Sequence, residues 1–283
     1  MSEIIACIDD STYVDNVCNL SAWVAGRTGL VISLLHVVAP HSDVPVKGNL
    51  SGSIGFDANS DLLKELTEID EAHGKMEQKK GELMLGHAKK ALTIKGITHL
   101  QTLQRRGSLV EALVELGGAL IVMGRGGEKT NVTLDHLGSN LERVMRAIHT
   151  PLLVATKTDK PISRFLVAYD GSPSAQKAIE YLVSNPLLKG LECHLLKVGE
   201  KSDKAEAVLK QAEDKMKSAG FIVHVTFTLG KPVDDIIAAY ITTRSINLLV
   251  MGAYGHSKIR RLIFGSTTTS LIYKSEIPVL LFR

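Results

Sequence analysis

The sequence predicts an α/β protein made of two tandem open-sheet domains, each a doubly wound parallel sheet with flanking helices. Three observations predict it. First, the two halves repeat: Asp9 aligns with Asp170 and Val37 with Val198, both 161 residues apart, while Met123-Gly124 aligns with Met251-Gly252 at 128 and Pro151 with Pro278 at 127. Such a repeat marks a tandem duplication. Second, short apolar runs alternate with amphipathic stretches, the signature of strands joined by crossover helices. Third, 283 residues correspond to about two domains of roughly 150 residues each.

The elements are clearest in the second half. Phe165 to Ala168 is a short apolar run, as for a strand buried on both faces. Ser172-Pro173 supplies an N-cap and a first-turn proline, and Ala175, Ala178, Ile179, Leu182 and Val183 recur on one face of the helix that follows. Leu195 to Val198 is the next strand. Lys204 to Ala219 is a helix with Gly220 as its stop, and Val223 to Leu229 is a third strand. A helix through Val233, Ile236, Ile237 and Tyr240, the strand Leu248 to Met251, a helix from about Thr267 to Lys274 and the strand Pro278 to Phe282 complete the unit.

In the first half, Glu3 to Ile8 and Ile32 to Val37 are the matching strands. Gly107 pairs with Gly230 at an offset of only 123, so the first half carries an insertion, about 39–76, after its second strand. Its start is rich in glycine, proline and serine, which reads as a lid over the first site or another pocket, and Asp61 to Leu92 reads as a charged helix. The polar stretch Thr156 to Pro161 is the linker, giving domains 1–156 and 162–283.

Composition excludes several classes. With 45% hydrophobic and 22% charged residues the chain is not intrinsically disordered. A net charge of +3 from 33 basic and 30 acidic residues, and only 5% aromatics, argue against a nucleic-acid binder. No apolar run approaches the roughly 18–20 residues that span a bilayer, and the N-terminus enters a strand without a basic leader, so a cytoplasmic protein without membrane insertion is expected. Cys7, Cys18 and Cys193 have no CxxC spacing and read as buried reduced thiols. Ten histidines form no HxH or HExxH; His194 and His224 lie on strands without metal-ligand spacing.

The sharpest chemical signal is Gly252-Ala253-Tyr254-Gly255, nine residues, then Gly265-Ser266-Thr267, placed after a buried strand and opening a helix. Glycines allow close backbone approach at a strand end, and a helix N-terminus presents free N–H groups, so such a loop can wrap phosphates. Together with Asp170-Gly171-Ser172 at the end of strand one and the strand-two Leu-Leu-x-Val, this pattern resembles the universal stress protein family over nearly the whole chain, as two consecutive copies.

The resemblance implies an adenine-nucleotide α-hydrolase-like fold with five-stranded parallel sheets and, in one branch of the family, an ATP site. It places Asp170 near the adenosine or a nucleotide-bound Mg2+, the Val198 backbone at adenine, and Gly252, Gly255, Gly265, Ser266 and Thr267 around ribose and phosphates. Gly171, Ser172, Met251 and His256 fall in the same loops and complete the candidate set. The family's last strand pairs antiparallel across a two-fold, so Pro151 to Val154 and Pro278 to Leu281 are expected to dock the halves as an internal pseudo-dimer; a homodimer of whole chains is a further expectation.

The first half departs from the pattern. Gly124-Arg125-Gly126-Gly127 precedes Gly138-Ser139-Asn140 by ten residues, and Asp10 replaces the glycine seen at Gly171, adding negative charge beside Asp9. Its site, formed by Asp9, Val37, Gly124, Gly127, Gly138, Ser139 and Asn140, reads as degenerate. No GxxxxGK[ST] loop, GxSxG elbow or Cys–His arrangement is present, which favours a regulator over an enzyme, with at most weak ATPase activity and no assigned catalytic residue. The sequence reading is therefore one ATP with magnesium per chain, in the second domain, in a stress-responsive role. The alternative is a scaffold or small-ligand carrier acting through the insertion.

Overall fold

The computed structural model describes residues 3–38, 56–126, 138–253 and 266–283. The first half runs β1 (Glu3–Cys7), α1 (Val14–Thr28), β2 (Val31–Val38), α2 (Phe56–Ile94), β3 (Leu100–Arg106), α3 (Leu109–Leu116), β4 (Leu120–Gly124), α4 (Ser139–Ala147) and β5 (Leu152–Ala155). The second runs β6 (Arg164–Ala168), α5 (Pro173–Ser184), β7 (Glu192–Val198), α6 (Asp203–Ser218), β8 (Val223–Thr228), α7 (Val233–Thr243), β9 (Leu248–Gly252), α8 (Ser266–Lys274) and β10 (Val279–Phe282). A 3-10 turn, Pro186–Leu188, follows α5, and no periodicity in the sequence signals it.

The strands among the described residues join one ten-stranded sheet in the order β3-β2-β1-β4-β5-β10-β9-β6-β7-β8. Every neighbouring pair is parallel except β5 with β10. Alternation decides which layer each residue enters. Ile4, Ala6, Leu34 and Val122 pack with α1 and α2, and Val167 and Leu195 with α5 and α6. Ile5, Leu35 and Ile121 pack with α3 and α4, and Leu166, Leu196 and Leu249 with α7 and α8. Burial on both faces explains why these strands are continuously apolar rather than alternating.

The expected pairing of the last strands is present. Val279, Leu280 and Leu281 lie opposite Val154, Leu153 and Leu152, so two apolar edges that would each be exposed cover one another. Polar contacts lock the seam from both sides. Thr156 Oγ1 donates to Glu276 O at 2.9 Å, the Arg283 guanidinium donates to Arg146 O, and Arg27 donates to the carbonyls of Leu187 and Lys189.

Helix α2 differs most from its sequence reading. Asp61 to Leu92 was the expected span, whereas the helix covers 39 residues against 16 in α6, its counterpart. Its C-terminal half is the crossover helix, with Leu85, Ala88 and Leu92 buried on the sheet. Gly81 permits that approach, since a Cβ there would lie 2.5 Å from His36 Cδ2. The proposed lid, 39–55, lies outside the described residues.

Candidate functional site

In each half the chain order reverses between strands one and four, β1 and β4 in the first half and β6 and β9 in the second. In open α/β sheets ligands bind at the carboxyl ends of such strands. Both halves bring their strand-one aspartate and their strand-four glycine to that crevice, and they furnish it differently.

In the second half the crevice is small-residue lined. Gly171 has φ +84°, and a Cβ on it would lie 2.8 Å from Val208 Cγ1, so the turn after β6 needs glycine both for its dihedral and for its space. Asp170 Oδ1 accepts from Ser172 N at 2.8 Å. Ser172 is then the N-cap of α5, accepting from Ala175 N at 3.3 Å, with Pro173 in the first turn. Gly252 at the end of β9 abuts this helix start: a Cβ would meet Ser174 Oγ and lie 2.9 Å from Ala175 N. Met251 beside it is buried.

Val198 ends β7 half-buried, and its neighbour Lys197 reaches back so that Nζ donates to Asp170 O at 3.0 Å. Burial lowers the Lys197 pKa from its usual range, and the Asp170 charge opposes that shift. From the other side α8 points its N-terminus, with half-buried Thr267, toward the same end of the sheet. The helix is clasped by α7, because Asp234 Oδ2 accepts from Ser270 Oγ at 2.6 Å and from Lys274 Nζ at 2.9 Å. These hydrogen bonds, Ser270 foremost, hold the Asp234 carboxyl below its usual pKa. Gly255, His256 and Gly265 lie outside the described residues, as does the Ser266 side chain.

In the first half the equivalent crevice is filled. Tyr13 occupies the position of Ser174, is 4% exposed, and packs against Gly124, whose Cβ would lie 2.8 Å from Tyr13 Cβ and 3.1 Å from its ring carbon Cγ. The helix start also shifts: α1 begins at Val14, the counterpart of Ala175, where α5 begins two positions earlier at Pro173. Its N-cap, Tyr13, makes no side-chain capping bond. Ser11 instead turns its N–H and hydroxyl onto Asp9 Oδ1, at 3.1 and 2.5 Å. Burial raises the Asp9 pKa, with Ser11 opposing and Asp10 adding to the rise.

Asp10 has no positive φ, so the turn after β1 is not the turn after β6. The negative charge that Asp10 adds is balanced, since Lys80 of α2 pairs with it at 2.6 Å. Val37 is half-buried, Gly138 is buried, and Ser139 and Asn140 are exposed at the start of α4. Gly127 lies outside the described residues.

Arg125, inside the degenerate glycine motif, serves the seam. Its Nη1 donates to the carbonyls of Ile272, Tyr273 and Ser275 at 3.2, 2.6 and 2.7 Å, and so caps the C-terminus of α8 in the other half. Sequence reasoning missed Tyr13, Ser174, Lys197, Asp234 and Arg125. The 161-residue offset pairs Tyr13 with Ser174 and His36 with Lys197, so those exchanges were readable; the clasp and the cap join distant segments and were not.

At the opposite ends of the strands, His194 is buried, with Nδ1 3.0 Å from Tyr240 Oη and Nε2 3.1 Å from Glu192 Oε1. Burial lowers its pKa. His224 stacks on it at 5.1 Å from the solvent side. No group of three His, Cys, Asp or Glu side chains among the described residues could hold a metal ion. Cys7 is half-buried rather than buried, while Cys18 and Cys193 are buried, and all three are free thiols. No described helix is long and apolar enough to cross a membrane.

Comparison with known proteins fits this architecture. The model of the universal stress protein family matches residues 1–156 and again 161–283. Universal stress protein Slr1230 of Synechocystis sp. is 37% identical over 288 residues, covering all of both chains. A universal stress protein structure from Archaeoglobus fulgidus superposes with a TM-score of 0.68 at 24% identity, over 99% of this chain and 98% of that one. Another from Pseudomonas aeruginosa, a putative member, gives 0.63 at 16% identity over 100% and 93%. Two matches to one family model, on the two halves of a single sheet, and a relative similar from end to end mean that the chain belongs to the universal stress protein family, a stress-response family, as a tandem member with two such domains.

Proposed function

We propose that the chain is a nucleotide-binding regulator of the stress response that takes one ATP, with magnesium, in its second domain. The observation that carries this reading is the exchange of Ser174 for Tyr13 at the strand-four glycine. In the second half a glycine, two serines and a capped helix N-terminus line the crevice, and in the first an aromatic ring fills it. Asp170, Gly171, Ser172, Val198, Met251 and Gly252 are the described part of the proposed site, with Ser266 and Thr267 at the head of α8.

The donor set suits a metal that arrives on the nucleotide. Mg2+ keeps several waters and binds through one or two carboxylates plus phosphates, and Asp170 is one such carboxylate at the strand end. Lys197 adds positive charge beside the same backbone and favours a phosphorylated ligand. A homodimer would need a surface other than the last strands, since these pair within the chain.

Titration calorimetry with ATP and magnesium tests the reading, alongside assay of nucleotide released on denaturation. One site per chain is expected. Gly265→Val or Ser266→Glu should weaken it by at least about a hundredfold, equivalent to about 2.7 kcal/mol, while Gly138→Val or Ser139→Glu leave it within about threefold. No binding at millimolar ATP would overturn the proposal, and two equivalent sites would overturn the asymmetry.

A further inference from the structure

Helix α2 is apolar on two opposite faces. One lies on the sheet through Gly81, Leu85, Ala88 and Leu92. The other carries Ile69, Met76 and Leu83, which are 62%, 58% and 57% exposed. These three are seven residues apart and form a single stripe, because at about 100° per residue each step drifts by only about 20°. Gly81 and Leu85, two positions either side of Leu83, point the opposite way.

The counterpart helix serves as an internal control. The outer side of α6 is covered by ion pairs, Lys210 with Glu213 and Asp214 and Lys217 with Glu213, and none of its residues is among the exposed large hydrophobics.

The charges of α2 say what could cover the stripe. From residue 57 to 71 the helix has six carboxylates and one lysine; from 75 to 94 it has five lysines and two glutamates. A helix macrodipole accounts for such a bias only in the first and last turns. Over 39 residues the gradient makes the helix complementary to a reversed copy of itself and repulsive to a copy in the same direction. A two-fold axis perpendicular to the helix produces the reversed pair, and an isologous contact of this kind closes on itself. We propose that two chains associate through α2, antiparallel, with the axis near Met76, Ile69 of one copy facing Leu83 of the other, and the acidic half of each helix on the basic half of its mate.

Sedimentation velocity of the full chain at about 50 μM tests this in a range where modest interfaces assemble. A species of twice 30.6 kDa is expected, and a monomer throughout would overturn the proposal by leaving the stripe to another partner or to solvent. Met76→Glu, on an exposed position, should keep the circular dichroism spectrum and melting of the parent while weakening the dimer at least about tenfold. A dimer indifferent to it forms elsewhere, for instance along the β8 edge, and overturns the assignment. Raising NaCl from about 0.05 to 0.5 M should weaken the dimer, since Glu68 and Glu71 on one half and Lys75, Lys79, Lys89 and Lys90 on the other are exposed and open to screening; strengthening would count against the charge pairing. Under mild oxidation Met76→Cys should form an interchain disulfide with itself, and Ile69→Cys should cross-link with Leu83→Cys faster than either does alone. Preferential self-linking of Ile69→Cys would show a parallel pair and overturn the orientation.

Discussion

The loop after β6 places Ser174 against the terminal glycine of β9, and the loop after β1 places Tyr13 against the terminal glycine of β4. The backbones on either side are alike: same strand order, same aspartate, same glycine. Among the differences that separate them are the exchange of a small hydroxyl for a ring, of a glycine for Asp10, and a helix that starts two residues late. At about 1.5 Å per residue that withdraws the helix N-terminus by roughly 3 Å, a full hydrogen-bond length. A duplicated crevice can thus be turned into core by packing alone, with the sheet unchanged.

The largest test of this comparison is on stability. Tyr13→Ala should cost about 3–5 kcal/mol, as for other buried aromatics, because truncation removes the buried ring that packs against Gly124. Ser174→Ala should cost under about 1 kcal/mol, the scale of a neutral hydrogen bond. Urea unfolding of both variants measures the difference. Equal costs would mean that Tyr13 is not what fills the first crevice.

A smaller effect is expected at Arg125, which has no counterpart in the second half, where Ala253 stands at that position. Its guanidinium satisfies three carbonyls of α8 across the seam, and hydrogen bonds from a charged donor contribute about 1.5–3 kcal/mol. Arg125→Ala should lose about 2–3 kcal/mol, and Arg125→Lys should recover only part, because its ammonium reaches less far than Nη1 and is more strongly hydrated. Full recovery with lysine would show that charge alone matters there.

The sequence told a good deal of this. The element spans in the second half followed from apolar runs and the repeat, since a strand buried on both faces has few other ways to be written, while the β5–β10 seam was implied by the resemblance to the family. The length of α2 did not, because residues 56–60, before the run that began at Asp61, offered no apolar period to extend it. Lys80 neutralising Asp10 was also unreadable: it depends on where a helix 70 residues away comes to lie. The same holds for Arg125, which looks in sequence like a motif residue and acts in the structure as a cap for the other half.

The smallest expected effect concerns Asp9, the counterpart of Asp170. Burial against β1 raises its pKa in the folded chain above the unfolded value of about 3.9. The folded state therefore holds that proton more tightly than the unfolded state does. Its contribution to stability is most favourable below the unfolded pKa and is lost as pH rises through the folded pKa, after which the penalty is constant. Asp9→Asn removes the charge while its side-chain oxygen can still accept from Ser11 N. The variant should melt above the parent at pH 7, and the gap should close as pH falls toward 3. Melting at the two pH values measures it as a difference of differences, in which groups titrating alike in both proteins cancel. A variant less stable than the parent by the same margin at pH 7 and at pH 3 would show that the Ser11 hydrogen bonds offset the burial penalty on the Asp9 carboxylate in full, and that the first crevice keeps its charge at no cost.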